Sequence, residues 1–211
     1  GGIIMAESAI YPSLRDRVVF VSGGASGIGA AIVEQFCLQG AKVSFVDIDA
    51  DAAASLADDI AARDLPRPRF LPCDLKDVEA LQYTIGQVIT ADGPITALIN
   101  NAANDERHTI DDVTPAYFDD RIAVNLRHQF FATQAVHGPM AEAGGGAIVN
   151  IGSVTWLIGQ GGMPCYSASK AAVAGLTRSL ARDLGPKNIR VNSVLPGWIM
   201  TKRQMDNWLT T

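Results

Sequence analysis

The sequence predicts an α/β protein built on one doubly wound parallel sheet with helices on both faces. Three observations carry this. Short β-branched runs alternate with longer helical stretches along the whole chain, the pattern of linked βαβ units. The first strand-to-helix junction is the glycine-rich stretch SGGASGIG. The chain has 211 residues, 48% of them apolar and 18% charged, enough to bury one sizeable core.

RVVFVS, from Arg17 to Ser22, reads as a buried strand, and GIGAAIVEQFCLQGA follows as a helix ending near Gly40. KVSFVD is the second strand and ADAAASLADDIAAR the second helix. RFLPCD is the third strand, followed by a helix from about Lys76 to Ala91. TALINNA is the fourth strand. One long helix is expected from about Thr114 to Met140, with Pro115 suited to its first turn. GGGAIVNIGS supplies a turn and the fifth strand. A helix carrying YSASK runs to about Leu184, and IRVNSVLPG is the sixth strand with the loop after it. No linker, repeat or low-complexity tract interrupts the alternation.

The bulk numbers exclude several classes of function. Twenty-two acidic against 17 basic residues give a formal charge of −5 with no basic cluster, which argues against nucleic acid or an anionic membrane as partner. No apolar run is long enough to span a bilayer. The opening GGIIMAES lacks the basic start and long apolar stretch of a signal peptide. Gly1 to Ile4 read as a leftover of expression, so a single domain is counted from Met5 to Thr211. Cys37, Cys73 and Cys165 are odd in number and form no CxxC pair, which suits a reducing cytoplasm and excludes a zinc site. His108, His128 and His137 show no metal-ligand spacing, so no metal is expected.

Gly23, Gly27 and Gly29 let the backbone turn tightly and approach a pyrophosphate at a helix N-terminus. Asp47 ends the second strand, 18 residues after Gly29, where a carboxylate accepts hydrogen bonds from the adenosine ribose hydroxyls. It would repel the 2′-phosphate of NADP, and Ile48 follows it where an arginine would be needed, so NAD is the expected cofactor. In YSASK, Tyr166 and Lys170 stand four apart, on one face of a helix, with only small residues between them.

SGGASGIG, NNAA, VN, GS, YSASK and PGWIMT occur in the order found in classical short-chain dehydrogenases/reductases, and the resemblance runs from Leu14 onward. It implies a Rossmann-type sheet and a nicotinamide cofactor. It also implies roles: Tyr166 the acid/base, Lys170 its partner, Ser153 the holder of the substrate oxygen, and Asn125 the support of a water that relays the proton. The same resemblance marks the cofactor contacts as Gly23, Ser26, Gly27, Ile28, Gly29, Asp47, Ile48, Asp74, Leu75, Asn101, Ala102, Tyr166, Lys170, Pro196, Gly197, Ile199 and Thr201. Asp74 would meet the adenine amine. Ser22 replaces the family's threonine and Ala103 the last glycine of its NNAG pattern, which would crowd the backbone there. A free phenol titrates near ~10, and an adjacent ammonium with the positive nicotinamide is expected to pull Tyr166 down.

SAIYPSL, NDERHTIDDVT, VNLRH and TKRQ narrow the resemblance to bacterial sugar dehydrogenases of this family, the NAD-dependent D-xylose dehydrogenases in particular. That implies oxidation of an aldose to its lactone. Asn104, Asp105, Arg107 and His108 leave the fourth strand at its carboxyl end, beside Arg127 and His128, and suit a polyol. Asn104, His108, Ser153, Trp156 and Trp198 are the candidate substrate contacts. A 3-oxoacyl thioester reductase is the competing enzyme reading, and an inactive NAD-binding protein the competing reading from another class. The family also implies a homotetramer or homodimer, and a further helix and seventh strand that the chain to Thr211 does not contain.

Overall fold

The computed structural model describes residues 9–206, so the expected leftover at Gly1 to Ile4 lies outside the described residues. In chain order the elements are β1 (Val18–Ser22), α1 (Gly27–Leu38), β2 (Lys42–Asp47), α2 (Ala50–Ala61), β3 (Arg69–Pro72), α3 (Val78–Asp92), β4 (Ala97–Asn100), α4 (Pro115–Ile122), α5 (His128–Glu142), β5 (Gly146–Ile151), α6 (Pro164–Leu184), β6 (Ile189–Val194) and α7 (Lys202–Gln204). The six strands form one parallel sheet in the order β3-β2-β1-β4-β5-β6.

All five residues of β1 are buried, because each face of the sheet carries its own core. Val18 and Phe20 join a cluster with Leu81, Ile85 and Val88 of α3 and Val136 and Met140 of α5. Val19 and Val21 point the other way, onto Val33 and Cys37 of α1 and Ile60 of α2. Side chains set the helix starts. Asp49 accepts from Ala52 N at 3.0 Å, Asp77 from Ala80 N at 2.9 Å, and Thr114 from Tyr117 N at 3.2 Å with Pro115 following it.

Chain order reverses between β1 and β4. Ser22 lies opposite Val46 on one side and Asn100 on the other, and Asn100 lies opposite Asn150, so the strand ends are level. A crevice at the carboxyl ends of a parallel sheet, at the reversal, is where such folds bind ligands.

The expected single helix from Thr114 to Met140 is interrupted. Residues Ala123–Arg127 wind as a π-helical turn between α4 and α5. The reason is Asn125, whose Nδ2 donates to the carbonyl of Arg121 at 2.9 Å and to that of Asn104 at 3.1 Å. The side-chain amide thus occupies the Arg121 carbonyl, an acceptor that the regular ladder would use, and the ladder slips. The slip turns His128 fully inward and leaves Arg127 outside, donating to the Lys76 carbonyl at 2.7 Å. Neither side chain faces the crevice, contrary to the expectation that they extend its polar lining.

The three cysteines are buried and unpaired. Among the described residues no helix is long and apolar enough to cross a membrane, and no group of His, Cys, Asp and Glu is arranged to hold a metal ion.

His128 generates a stability prediction. Burial, and then the charge of Lys170, push its pKa from 6.5 down to about 3; the carbonyls of Ala123 and Val124 act the other way without reaching full hydrogen-bond geometry. The unfolded chain therefore takes up a proton below pH 6.5 that the folded chain refuses until about pH 3. The contribution of neutral His128 is fully present above pH 6.5 and is lost as the pH falls; at pH 5 the loss amounts to about 2 kcal/mol. Melting temperatures should fall between pH 7 and pH 5, and less steeply in His128→Asn. Identical slopes in the two proteins would assign the acid sensitivity to other groups.

Candidate active site

The turn after β1 is shaped by glycines that admit no side chain. Gly23 and Gly27 have φ of +68° and +55°. A Cβ on Gly23 would lie 2.7 Å from the Cα of Ala102, and one on Gly29 would lie 1.8 Å from the carbonyl oxygen of Gly23. The Ser22 hydroxyl accepts from the backbone N–H of Asn101 at 3.0 Å and of Ala102 at 3.2 Å. The Asn101 amide donates to the carbonyls of Ser22 at 3.1 Å and Gly23 at 2.8 Å. Asp47 braces the turn from the other side, accepting from Ala25 N at 2.9 Å and Ile48 N at 2.8 Å. The result is an open groove of about 470 Å³ above the N-terminus of α1. It is bordered by Gly23, Ser26, Gly27, Ile28, Gly29, Asp47, Ile48, Asp74, Leu75, Asn101, Ala102 and Thr201. Backbone amides, a helix N-terminus and a carboxylate in this order fit a dinucleotide's pyrophosphate and ribose.

The groove continues into a narrower cleft of about 170 Å³ that holds Ser153, Tyr166 and Lys170. Its far wall is Pro196, Gly197, Trp198, Ile199, Thr201 and Gln204, from the segment after β6. Lys170 is buried, and its Nζ donates to the Ile151 carbonyl at 2.7 Å. Burial lowers the Lys170 pKa to about 8, against a smaller opposing pull from Asp105. Its Nζ lies 5.6 Å from the centre of the Tyr166 ring.

Burial raises the Tyr166 pKa; a hydrogen bond with Ser153 and the charges of Arg107 and Arg203 act against this, and Asp105 adds to it. The expectation that Lys170 pulls the phenol down is therefore not met in this state. Loss of solvent outweighs the charges around the ring. Ser153 also accepts from Thr155 N at 3.2 Å, which fixes its hydroxyl in the cleft.

The extended run after β4 divides its side chains between two directions. Ala103, Asp105 and Arg107 line the cleft. Asn104, Glu106 and His108 turn back to α4 and the π turn. Asn104 donates its N–H to Asn125 Oδ1 at 2.8 Å and spends its own Oδ1 on Glu106 N at 2.9 Å. Glu106 accepts from Arg121 at 3.1 Å. His108 accepts from Cys165 N at Nε2, 3.3 Å away, so its neutral ring carries the proton on Nδ1, which lies 3.0 Å from the Tyr117 hydroxyl.

Every residue expected to contact the cofactor thus borders the groove or the cleft. Asn125 lies behind them, fully buried, bracing Asn104. Of the candidate substrate contacts, Ser153 and Trp198 line the cleft, Asn104 borders only the groove, and His108 and Trp156 border neither. Ala103 is exposed and borders both the groove and the cleft. Of the polar side chains in the cleft, sequence reasoning pointed to Asp105 and Arg107 in the run after β4 but did not single out Gln160 and Gln204. The period of two along the run after β4 was the available signal for the first two.

The short chain dehydrogenase family model matches residues 17–210. The chain is 48% identical over 203 residues to a protein of Rhizobium meliloti named probable galactose dehydrogenase, covering 96% of this chain and 79% of that one. It is 46% identical over 204 residues to the D-xylose 1-dehydrogenase of Caulobacter vibrioides, covering 97% and 80%. A solved short-chain dehydrogenase/reductase from Serratia marcescens superposes with a TM-score of 0.84 at 35% identity, covering 92% and 78%. The chain belongs to the short-chain dehydrogenase family, and with it to the oxidoreductases that act on a CH–OH group.

Proposed function

We propose that this dehydrogenase oxidises an aldose, a pentose or hexose, at its anomeric hydroxyl to the lactone, with NAD as cofactor. The observation that carries the reading is the inner cleft. It is small, about 170 Å³, against the roughly 300–1,000 Å³ usual for larger ligands. Its wall offers Asp105, Arg107, Gln160 and Gln204 beside Ser153 and Tyr166, donors and acceptors suited to several hydroxyls. Trp198 lines the same cleft. The cleft itself, at about 170 Å³, has no room for a long acyl chain. The names of the two sugar dehydrogenases support the same substrate class.

In this reading Tyr166 takes the hydroxyl proton of the substrate and Ser153 donates a hydrogen bond to the oxygen as its charge changes. When bound, the nicotinamide supplies the two-electron acceptor for the hydride that leaves the same carbon. Lys170, tied to Ile151, holds positive charge behind the tyrosine, and Asn125 maintains the loop that frames the cleft. The chain acts as one domain on a small molecule, in the cytoplasm, as a homodimer or homotetramer. Three unpaired cysteines and the exposed rings of Tyr83, Phe118 and Phe130 support the last two points.

Cofactor choice rests on Asp47. NAD should support turnover far better than NADP, and Asp47→Ala should narrow the gap, read from kcat/KM with each cofactor; equal rates in the unmodified protein would remove the argument. Tyr166→Phe keeps the ring and removes the proton-accepting oxygen. It should cost roughly 10²–10⁴ in kcat, with NADH affinity by fluorescence titration nearly unchanged. The substrate test is a titration of xylose, arabinose, glucose and galactose with NAD while NADH absorbance is followed. The reading predicts turnover of at least one aldose and poor reduction of 3-oxoacyl thioesters. Inert aldoses with an efficiently reduced acyl or steroid ketone would overturn it.

A further inference from the structure

One carboxylate joins the two halves of the site. Asp105 leaves the end of β4 and borders both the cofactor groove and the inner cleft. Its Oδ1 lies 2.9 Å from Arg203 Nη2, and its Oδ2 accepts from Gln204 Nε2 at 2.7 Å. Both partners come from α7, in the segment that forms the far wall. Arg203 lies on the groove side and Gln204 on the cleft side. A carboxylate only accepts, so the Gln204 amide must present its nitrogen to Asp105 and turn its oxygen away. Thr201 caps α7, accepting from Gln204 N at 3.3 Å, which holds the two donors at adjacent positions. A second contact lies beside the first: the Arg107 guanidinium sits 5.9 Å from the centre of the Trp198 ring.

We propose that Asp105 is a positioning residue whose two oxygens latch the segment 196–206 across cofactor and substrate together. The proposal rests on the dehydrogenase reading of the site and adds to it the element that gates release. The latch closes only when α7 spans both cavities, so opening it frees both. Its strength suits that task. Asp105 is mostly shielded, with 19% of its side-chain surface exposed, but Arg203 is 53% exposed. A pair of this kind biases an equilibrium by roughly tenfold, not by orders of magnitude. A segment held that lightly can open in every turnover.

The test is amide hydrogen exchange of the peptide covering residues 196–206, followed by mass spectrometry on the whole chain. Asp105→Ala should speed exchange in that peptide by roughly tenfold, leaving the strands unchanged. Arg203→Ala, an exposed change that does not threaten folding, should speed it by a smaller factor, because the Gln204 bond remains. The double variant should be no faster than Asp105→Ala alone, because that change already removes both bonds. Exchanging the charges, Asp105→Arg with Arg203→Asp, should restore protection in part. In turnover, Asp105→Ala should raise KM for NAD and for the sugar by similar factors. Unchanged exchange in both single variants, or strictly additive effects, would overturn the latch. Faster exchange with inert sugars would instead keep the latch and reject the aldose reading.

Discussion

Four hydrogen bonds between the ends of β1 and β4 hold the site together. The Ser22 hydroxyl takes two backbone N–H groups of the β4 end, and the Asn101 amide returns two bonds to the carbonyls of Ser22 and Gly23. Each contributes about 1 kcal/mol net, but their geometric effect is larger. They draw the two strands' exits together at the place where the sheet reverses direction. Gly23 then lies against Ala102 so closely that no Cβ fits, and the carbonyl of Gly23 fills the space beside Gly29. The same clamp aims the run from Ala103 to His108 along the cleft. The groove and the cleft are two consequences of one junction.

Behind that junction the core is unusually polar for a buried region. Asn100 donates to Asn150 at 2.8 Å, Asn150 to Thr177 at 3.0 Å, and Lys170 to Ile151 at 2.7 Å, all shielded from solvent. A buried ammonium is costly, and Lys170 answers by losing basicity, to about 8. Its charge in turn helps keep His128 neutral. Tyr166 is pushed the opposite way, to a higher pKa, by the same loss of solvent. The protein alone therefore keeps the phenol protonated. Its use as a base requires positive charge beyond that of Arg107 and Arg203, which are already in place and outweighed. The Asp105–Arg203 pair brings both signs to the ring, Asp105 raising the phenol's pKa and Arg203 lowering it.

The sheet, its helices and nearly all of the cofactor groove were legible in the sequence, for a local reason. Glycine turns and helix caps act within a few residues of themselves, as Gly27, Asp49 and Asp77 do. The π turn was not legible, because Asn125 makes its defining bond to Asn104, 21 residues away. That pairing also explains the misdirected substrate contacts. Asn104 and His108 carry the right chemistry, but their groups are spent on Asn125, Glu106, Tyr117 and Cys165. Arg127 and His128 were displaced by the same turn.

The two halves of the site differ in what specifies them. The cofactor half is mostly backbone: turn geometry, a helix terminus, and side chains that serve to hold them. Such a half tolerates little change, since a methyl group at Gly29 has no room. The substrate half is assembled from side chains of separate segments, near Asp105, Ser153, Met163 and Gln204, that meet only in the folded chain. Apart from Asp105, none of them borders the groove, so each can vary without disturbing it. Asp105 is the point at which the two halves are bound to one another, through Arg203 on one side and Gln204 on the other. A change of substrate in such a fold can proceed through the cleft and its far wall, but it has to leave that connection able to close.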